Sequence, residues 1–310
     1  MIEQRTALLV GATGLVSLSS RWPVVLLLIG AMSIGIAQGS NDSGVAPSRF
    51  SIGVHGSYHF NPWDDFNQSL ETFNDRLRFV PYYGSPQGKF ETIHGDATIE
   101  GVWLYHWLDY LDIFVASSYT RTGSRSNVAY TTTMFGQSEY NRFTEELQFS
   151  VWDWCAGARY TLRLSPAIKV MVRGMTGFAY GRMVFDHELD RDRHDSYHAE
   201  LRQTVPEAKL GIDFGIEITP GASLVVSGEY RFLSFSNLHG PATYIYRGGY
   251  EEKKDYEARL LYTDGYFGIT DQEGYPISYP WNDFRKWGDL QYAFLSLRSF
   301  GLRVGFEVEL

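Results

Sequence analysis

Apolar and polar residues alternate over the last eleven positions of the chain. Every second residue from Phe300 to Leu310 is apolar, and the residues between them are small or charged: Gly301, Arg303, Gly305, Glu307 and Glu309. A period of two places each set on its own face of an extended strand. The pattern therefore predicts a β-strand with one apolar face and one polar face.

The same alternation recurs upstream and predicts eight strands, at about residues 49–60, 91–106, 111–123, 145–162, 168–185, 207–217, 223–232 and 300–310. The connections between them alternate between short ones (residues 107–110, 163–167 and 219–222) and long ones (61–90, 124–144, 186–204 and 236–288). This alternation is typical of antiparallel strands that follow one another around a barrel, with the short turns at one end. We therefore predict an all-β fold, an up-and-down antiparallel transmembrane β-barrel of eight strands.

Two of the long connections carry patterns of their own. In the first, Phe66, Leu70, Phe73 and Leu77 recur at helical spacing, which predicts a short amphipathic helix with Asp65 as its N-cap. This helix would cover the barrel mouth, lie on the outer leaflet, or pack on the aromatic residues of its own loop. In the fourth, residues 243–247 and 255–262 would form either a hairpin above the membrane or two further spanning strands, so ten strands are the alternative.

The amino-terminal part differs from the rest. A positive residue, Arg21, precedes an apolar segment at 24–37, and small residues flank Gln38, as in a cleaved signal peptide. We expect residues 1–39 to be this signal, 40–47 a short periplasmic lead and 48–310 the barrel. No later stretch reaches 18 consecutive apolar residues, so membrane crossing after residue 39 would use strands.

Net charge, cysteine count and aromatic content each limit what the protein can bind or form. The formal net charge of −9 argues against a nucleic-acid surface, which would need a basic stripe. The single cysteine, Cys155, has no partner for an internal disulfide. Aromatic residues make up 16% of the chain, which suits a protein with rings at two membrane interfaces. The sequence indicates no cofactor.

If the apolar faces contact lipid, the charged faces meet inside the barrel. The lumen of an eight-stranded barrel is only wide enough for side chains, so opposite charges there should pair and close it. The predicted lumen network consists of Asp153, Arg159, Arg173, Lys209, Asp213, Glu217, Glu229, Arg231, Arg303 and Glu307. The reverse orientation, a soluble lipocalin-like barrel with its apolar face inward, stays open from the sequence alone.

The strand pattern and the terminal sequence Arg303-x-Gly305-x-x-Val308-x-Leu310 resemble the outer-membrane β-barrel superfamily of the outer-membrane protein A and opacity-protein type, over about residues 48–310. The resemblance implies location in the outer membrane of a Gram-negative cell, contact with outer-membrane lipid, and help from periplasmic chaperones during biogenesis. It also implies that Arg303, Gly305, Val308 and Leu310 form the signal read by the barrel assembly machinery. The family's usual last residue is aromatic, and Leu310 departs from it.

Three functional classes fit this architecture: a structural or surface-recognition barrel, a narrow porin for small solutes, and a lipid-modifying or proteolytic enzyme. The first is our prediction. The fourth long connection is rich in Tyr and Trp, residue types that often form recognition surfaces, so a surface ligand would bind through the long loops.

Enzyme signatures are incomplete. Residues 234–239 loosely resemble the His-x-Ser-Asn of outer-membrane lipid A deacylases, but Ser234 stands where the leading His belongs. An omptin-type protease needs an Asp pair and an Asp-His pair on opposite sides of the mouth, whereas Asp190, Asp192, His194 and Asp195 come from one loop. The spacing of the Asp and His residues in 186–198 matches no metal motif. We therefore assign no catalytic, cofactor-binding or metal-binding residue.

Overall fold

The computed structural model describes residues 49–60, 63–79, 87–134, 137–190, 194–248, 250–263, 266–270, 291–292 and 294–310. The predicted signal peptide and periplasmic lead lie outside these residues. Helix α1 spans Asp64–Phe79. The strands are β1 Phe50–Phe60, β2 Gln87–Lys89, β3 Gly95–Leu108, β4 Leu111–Met134, β5 Gln137–Arg163, β6 Ile168–Asp190, β7 His194–Thr219, β8 Ala222–Phe232, β9 Ser234–Phe235, β10 His239–Gly248, β11 Tyr250–Thr263, β12 Tyr266–Thr270, β13 Gln291–Tyr292, β14 Leu295–Ser296 and β15 Ser299–Glu309.

Eight of these strands close into a ring in the order β1-β3-β4-β5-β6-β7-β8-β15, and β15 pairs back onto β1. Every neighbouring pair in the ring is antiparallel, as in the register Ile52↔Val308 between β1 and β15. Over the part of the described barrel where all eight strands are paired, closure leaves no free strand edge, which is what a strand-built structure needs in lipid. The prediction of an eight-stranded up-and-down barrel is confirmed.

The two faces of the ring have opposite chemistry. Outward apolar side chains are half exposed, for example Ile212 at 51% and Val304 at 50%, whereas their inward neighbours Asp213 and Arg303 are 0% and 2% exposed. The alternation is the one predicted, with the apolar face outside. Because the reverse orientation would bury the apolar face, the alternative of a soluble lipocalin-like barrel is wrong.

The three short turns join β3 to β4, β5 to β6 and β7 to β8, as predicted. In the last of them, Gly221 has a φ of 80°, a backbone conformation that favours glycine. We call this end of the barrel the turn end and the opposite end the loop end.

Two predicted long loops are instead largely paired extensions of the ring strands. The sequence pattern predicts loops at residues 124–144 and 186–204, but β4 and β5 stay paired up to Met134↔Gln137, and β6 and β7 up to Asp190↔His194. The outward positions of these strands become polar where the strands leave the lipid. The alternation of apolar and polar residues is then lost, so the sequence pattern predicts a loop there. The barrel wall is therefore taller at β4 to β7 than at β1, β8 and β15.

The fourth long connection contributes a hairpin above the membrane. Strand β10 pairs with the loop end of β7 and with β11, which pairs in turn with β12 and β13. These strands extend the tall wall sideways and do not enter the ring. The hairpin alternative is confirmed, and the ten-strand barrel is wrong.

Helix α1 covers the loop end of the barrel. Trp63, Phe66 and Leu70 are buried in an apolar cluster with inward residues of β4 to β7, and the Trp63 ring lies 5.0 Å from that of Phe149. The helix prediction is confirmed, with the mouth-covering position among its three alternatives. The expected N-cap is wrong: the amide of Asn67 donates to the carbonyl of Trp63 at 2.8 Å, so Trp63 is the N-cap and the helix begins two residues earlier than an Asp65 cap would allow. No described helix has the length and apolar character to cross a membrane.

Candidate functional site

The barrel interior has two layers of different chemistry. Toward the turn end it holds buried charged side chains, which we call the charge network. Toward the loop end it holds the apolar cluster around Trp63, which we call the upper core. The upper core includes residues Trp63, Phe66, Leu70, Phe143, Leu147, Phe149, Met183, Leu201 and Phe235, all of them buried.

Nine of the ten predicted lumen residues lie in the charge network, each no more than 4% exposed: Asp153, Arg159, Arg173, Lys209, Asp213, Glu229, Arg231, Arg303 and Glu307. Glu217 does not. It is exposed next to the short turn between β7 and β8, where a register shift interrupts the ladder. The alternation cannot be extrapolated to Glu217 because the strand no longer follows its regular pleat there.

Arginines at the centre of the network each bridge several carboxylates. Arg159 donates from Nε to Asp112 at 2.9 Å and from Nη1 to Glu307 at 2.6 Å. Arg303 lies 3.0 Å from Glu100 and 3.5 Å from Asp213. A guanidinium has five N–H donors, so one arginine can neutralise two acids at once.

Arg173 joins this centre to the next group of charges. Its Nε donates to Asp213 at 3.1 Å and its Nη2 donates to Glu229. Farther along the lumen, Lys209 Nζ lies 3.0 Å from Asp153, and Arg231 Nε donates to Glu207 at 2.6 Å. These carboxylates thus lie against cations from other strands of the ring, most of them across the lumen and not on an adjacent strand.

Strands β1 and β3 supply members of the network beyond the ten predicted residues. Glu100 is 3% exposed and contacts Arg303, Arg173 and Lys209. His59 lies between Asp96, at 2.8 Å, and Glu229, at 3.0 Å. The signal for the histidines was present, since His55 and His59 occupy the polar positions of β1. Glu100 was missed because β3 alternates only weakly, with Gly101 on its outward face.

The acid and histidine residues of the β6–β7 hairpin do not form one site. His187 points inward and is buried, with its Nδ1 3.7 Å from Glu145. Asp186 and His198 form an exposed pair at 2.6 Å on the outer face. Asp192 lies outside the described residues. Consecutive residues of a strand face opposite sides of the wall, so this cluster in the sequence is divided by the sheet.

Among the described residues, Asp153, Cys155 and Glu207 place potential metal-binding atoms within 4.8 Å of one another. Both carboxylates already contact cations, Lys209 for Asp153 and Arg231 for Glu207. A divalent ion would have to overcome repulsion from these two buried charges, so the chemistry of this group does not favour a metal.

The serine and histidine of the deacylase-like segment are not joined. The backbone amides of Ser236 and Asn237 donate to the Gln203 side-chain oxygen at 3.0 and 2.9 Å. His239 Nδ1 lies 2.9 Å from the Asn237 carbonyl rather than against Ser236. These contacts stabilise the turn between β9 and β10, and they do not form a nucleophile and base pair.

A closed antiparallel ring with apolar side chains outside and paired charges inside is stable in lipid, because its backbone groups are paired and its outer face contacts acyl chains. In water the same barrel would expose its apolar face. The fold is that of a transmembrane β-barrel. Aromatic residues mark both ends of the barrel's apolar belt, for example Trp107 and Tyr110 at the turn end and Trp152 and Tyr180 toward the loop end.

No protein-family profile and no curated protein matches the sequence of this barrel. Solved structures with some likeness include the attachment invasion locus protein Ail of Yersinia pestis (9% identity, 85% of this chain and 99% of that chain covered, TM-score 0.33) and OprG of Pseudomonas aeruginosa (10%, 85% and 97%, TM-score 0.31). The outer-membrane protease OmpT of Escherichia coli is a third (8%, 87% and 99%, TM-score 0.26). At such TM-scores these likenesses carry no argument about function, and the fold of the barrel rests on its own strand pairing.

Proposed function

We propose that this outer-membrane barrel is non-conducting and non-enzymatic, with a structural or surface-recognition role. The observation that carries the proposal is that two layers of buried side chains fill the interior of the barrel. The charge network occupies the part enclosed by lipid, and the upper core with α1 occupies the part above it.

Ion permeation requires a water-filled path, and a selective pore is usually lined by charges of one sign. In this barrel, acids and bases from opposite sides of the lumen are in contact. Arg159 on β5 reaches Glu307 on β15, and Arg173 on β6 reaches Glu100 on β3. Opening a path would separate these pairs at low dielectric, at a cost of several kcal/mol for each.

A recognition role is supported by the tall wall above the membrane. Its outer face presents polar and charged side chains in register across β4 to β7, for example Arg125, Glu146, Asp186 and His198. Of the tyrosines of the fourth long connection, Tyr244 packs against the upper core and so supports the wall. Residues 271–290, with Tyr275, Tyr279 and two tryptophans, lie outside the described residues.

Planar-bilayer recording tests the closed lumen. Purified protein that shows heat-modifiable gel migration, and is therefore folded, should give no stable open channels. Regular single-channel openings would contradict the proposal and favour the porin alternative.

A comparison of cells tests the enzyme alternative. Lipid A acylation and outer-membrane proteolysis should be the same in cells that express the wild-type protein and in cells that express a Ser236→Ala/His239→Ala variant. A difference between the two would favour the enzyme alternative.

We further propose that Arg303, Gly305, Val308 and Leu310 form the signal for the barrel assembly machinery. Two of them also have packing roles in the folded barrel: Arg303 is part of the charge network, and a Cβ on Gly305 would lie 2.1 Å from Cδ2 of His55. Leu310 is 64% exposed, so it can be changed with little effect on packing.

Leu310→Phe restores the aromatic end that the family resemblance implies, and it should speed assembly in a pulse-chase experiment that follows heat-modifiable migration. The matched control is Leu302→Phe, which adds the same ring at a lipid-facing position of the same strand, 51% exposed. Equal acceleration by both variants would show a general effect of apolar bulk and would count against a terminal signal.

A further inference from the structure

Two arginines and a serine lie side by side on the outer surface where the barrel leaves the membrane. Arg121 on β4 is in register with Ser150 on β5, and Ser150 is in register with Arg182 on β6. All three point outward, and Arg182 is 47% exposed at its side chain. We call these three residues the basic row.

An aromatic row lies directly below, two residues closer to the turn end on each strand. It consists of Tyr119, Trp152 and Tyr180, again in register. The rings of Tyr119 and Trp152 are 4.7 Å apart, and Trp152 is 50% exposed. Tyr and Trp rings at this place in a transmembrane barrel mark the boundary between acyl chains and headgroups. The basic row is therefore at headgroup level.

The spacing of the basic row suits one phosphate. Neighbouring strands lie about 4.8 Å apart, so the backbones at Arg121 and Arg182 are separated by about 10 Å, within reach of two arginine side chains that converge over Ser150. Guanidinium groups bind phosphate oxygens in a bidentate manner, and a serine hydroxyl can donate to a third oxygen.

Neighbouring acids leave this row basic. Glu200 on β7 accepts from Nε of Arg182 at 2.5 Å and from Nε of Arg202 at 2.9 Å, so it is shared between two arginines. Its contact with Arg182 uses one of five N–H donors. Arg121 donates to the neutral Gln148 at 3.0 Å. The sum over Arg121, Arg182, Arg202 and Glu200 is two positive charges, in a chain whose net charge is −9.

We propose that the basic row binds the phosphate of a phosphorylated lipid in the outer leaflet, while the acyl chains of that lipid lie along the aromatic row. The inference rests on the membrane placement in the proposed function. Charge complementarity selects the phosphate, and the apolar rings beneath select a molecule with acyl chains over a free anion.

Binding to diphosphoryl lipid A in phosphatidylcholine nanodiscs tests the proposal. Each arginine near a membrane surface changes the affinity for anionic lipid about fivefold, so Arg121→Ala/Arg182→Ala should weaken binding by about 25-fold. Glu200→Gln should tighten binding, because it removes the acid that competes for Arg182. Lipid A stripped of its phosphates should bind wild-type protein no better than it binds the double variant.

The matched control is Arg142→Ala, which removes an exposed arginine from β5 eight residues beyond Ser150, above the headgroups. It should leave the affinity unchanged. Equal losses in Arg142→Ala and the double variant, or equal binding with and without lipid phosphates, would overturn the proposal. Displacement of lipid A by inorganic phosphate at matching concentrations would also overturn it, by showing an anion site without lipid selectivity.

Heat-modifiable migration and conductance of the same samples separate this inference from the proposed function. If the protein is folded and does not conduct, but shows no phosphate-dependent lipid binding, only the proposed lipid site is rejected. A conducting barrel with intact binding would reject only the closed lumen.

Discussion

Arg159 shows how a single residue in the lumen controls stability. Its guanidinium contacts Asp112 and Glu307 at 2.9 and 2.6 Å, and all three side chains are at most 7% exposed. Arg159→Met keeps the bulk but leaves two carboxylates near each other without that cation. Since removing one partner of a buried ion pair costs about 3–5 kcal/mol, the free energy of unfolding should fall by about that amount in urea titrations of the barrel in lipid vesicles.

The control for this prediction lies on the same strand. Arg163 is exposed at the turn end of β5, so Arg163→Met should change the free energy of unfolding by less than about 0.5 kcal/mol. A small effect of Arg159→Met would mean that the charge network rearranges around the missing cation.

Glu200 lies beyond the aromatic row, outside the membrane-spanning segment of β7. The hydrogen bond from Arg182, supported by Arg202, lowers the pKa of Glu200 to about 2 from an ordinary 4.5. A group whose pKa is lower in the folded state stabilises the fold above its unfolded pKa, and this contribution disappears as the pH falls toward the folded pKa. Wild type should therefore be more stable than Glu200→Gln at neutral pH, and the two unfolding curves should converge between about pH 4.5 and pH 2. A difference in stability that does not depend on pH would contradict the ion pair.

At the scale of elements, two asparagines hold α1 in place. Their side-chain amides make the two hydrogen bonds to the backbone that a neighbouring strand would otherwise make. Asn67 accepts from the amide of Ile93 at 2.8 Å and donates to its carbonyl at 2.6 Å, and Asn74 does the same with Phe90 at 2.8 and 2.9 Å. The segment around residues 90–93 thus pairs with the helix through side chains where no strand is available.

Asn67→Ala/Asn74→Ala should release α1, because the amide and carbonyl groups of Phe90 and Ile93 lose their partners at about 1–3 kcal/mol for each unsatisfied group. Hydrogen exchange should rise in α1 and in residues 90–93, while exchange in the ring strands stays slow. Gln68→Ala, at an exposed position of the same helix, should leave both regions protected. Unchanged protection in the double variant would show that Trp63 and its neighbours hold the helix without these bonds.

The sequence predicted the elements best where one face contacts lipid. In the lipid-facing part of β7, apolar and charged residues alternate without interruption, and the strand was placed correctly. Beyond the membrane, the same strand has polar outward residues such as Glu200 and Arg202. One of its inward residues, Ala199, is small, so apolar and polar positions no longer alternate clearly. Pairing with β6 and β10 keeps this part extended, and pairing is a property of neighbours that a single stretch of sequence does not encode.

At the scale of the whole molecule, the outward apolar band fixes how the barrel lies in the membrane. Ile212 is outward and 51% exposed on the lipid-facing part of β7. Ile212→Lys should hinder insertion, since a lysine near the bilayer midplane costs about 2–4 kcal/mol. The expected result is loss of the heat-modifiable form from the membrane fraction.

Ile245→Lys is the matched control, because Ile245 points outward on β10, paired with Ser196 above the membrane. This variant should insert normally. Normal insertion of Ile212→Lys as well would refute the assignment of the apolar face to lipid.

The sequence by itself determined the number of spanning strands, the end that carries the short turns, the amphipathic helix and nine members of the charge network. It could do so because each depends on the local period of two or 3.6 residues that burial on one face imposes. Only the tertiary structure decided which charges are in contact, as between Arg159 and Glu307, which are 148 positions apart. It alone placed α1 in the mouth, joined Glu100 and His59 to the network, and brought Arg121, Ser150 and Arg182 into one row. These relations depend on the register between strands and on ring closure, which follow from the interactions of the whole chain.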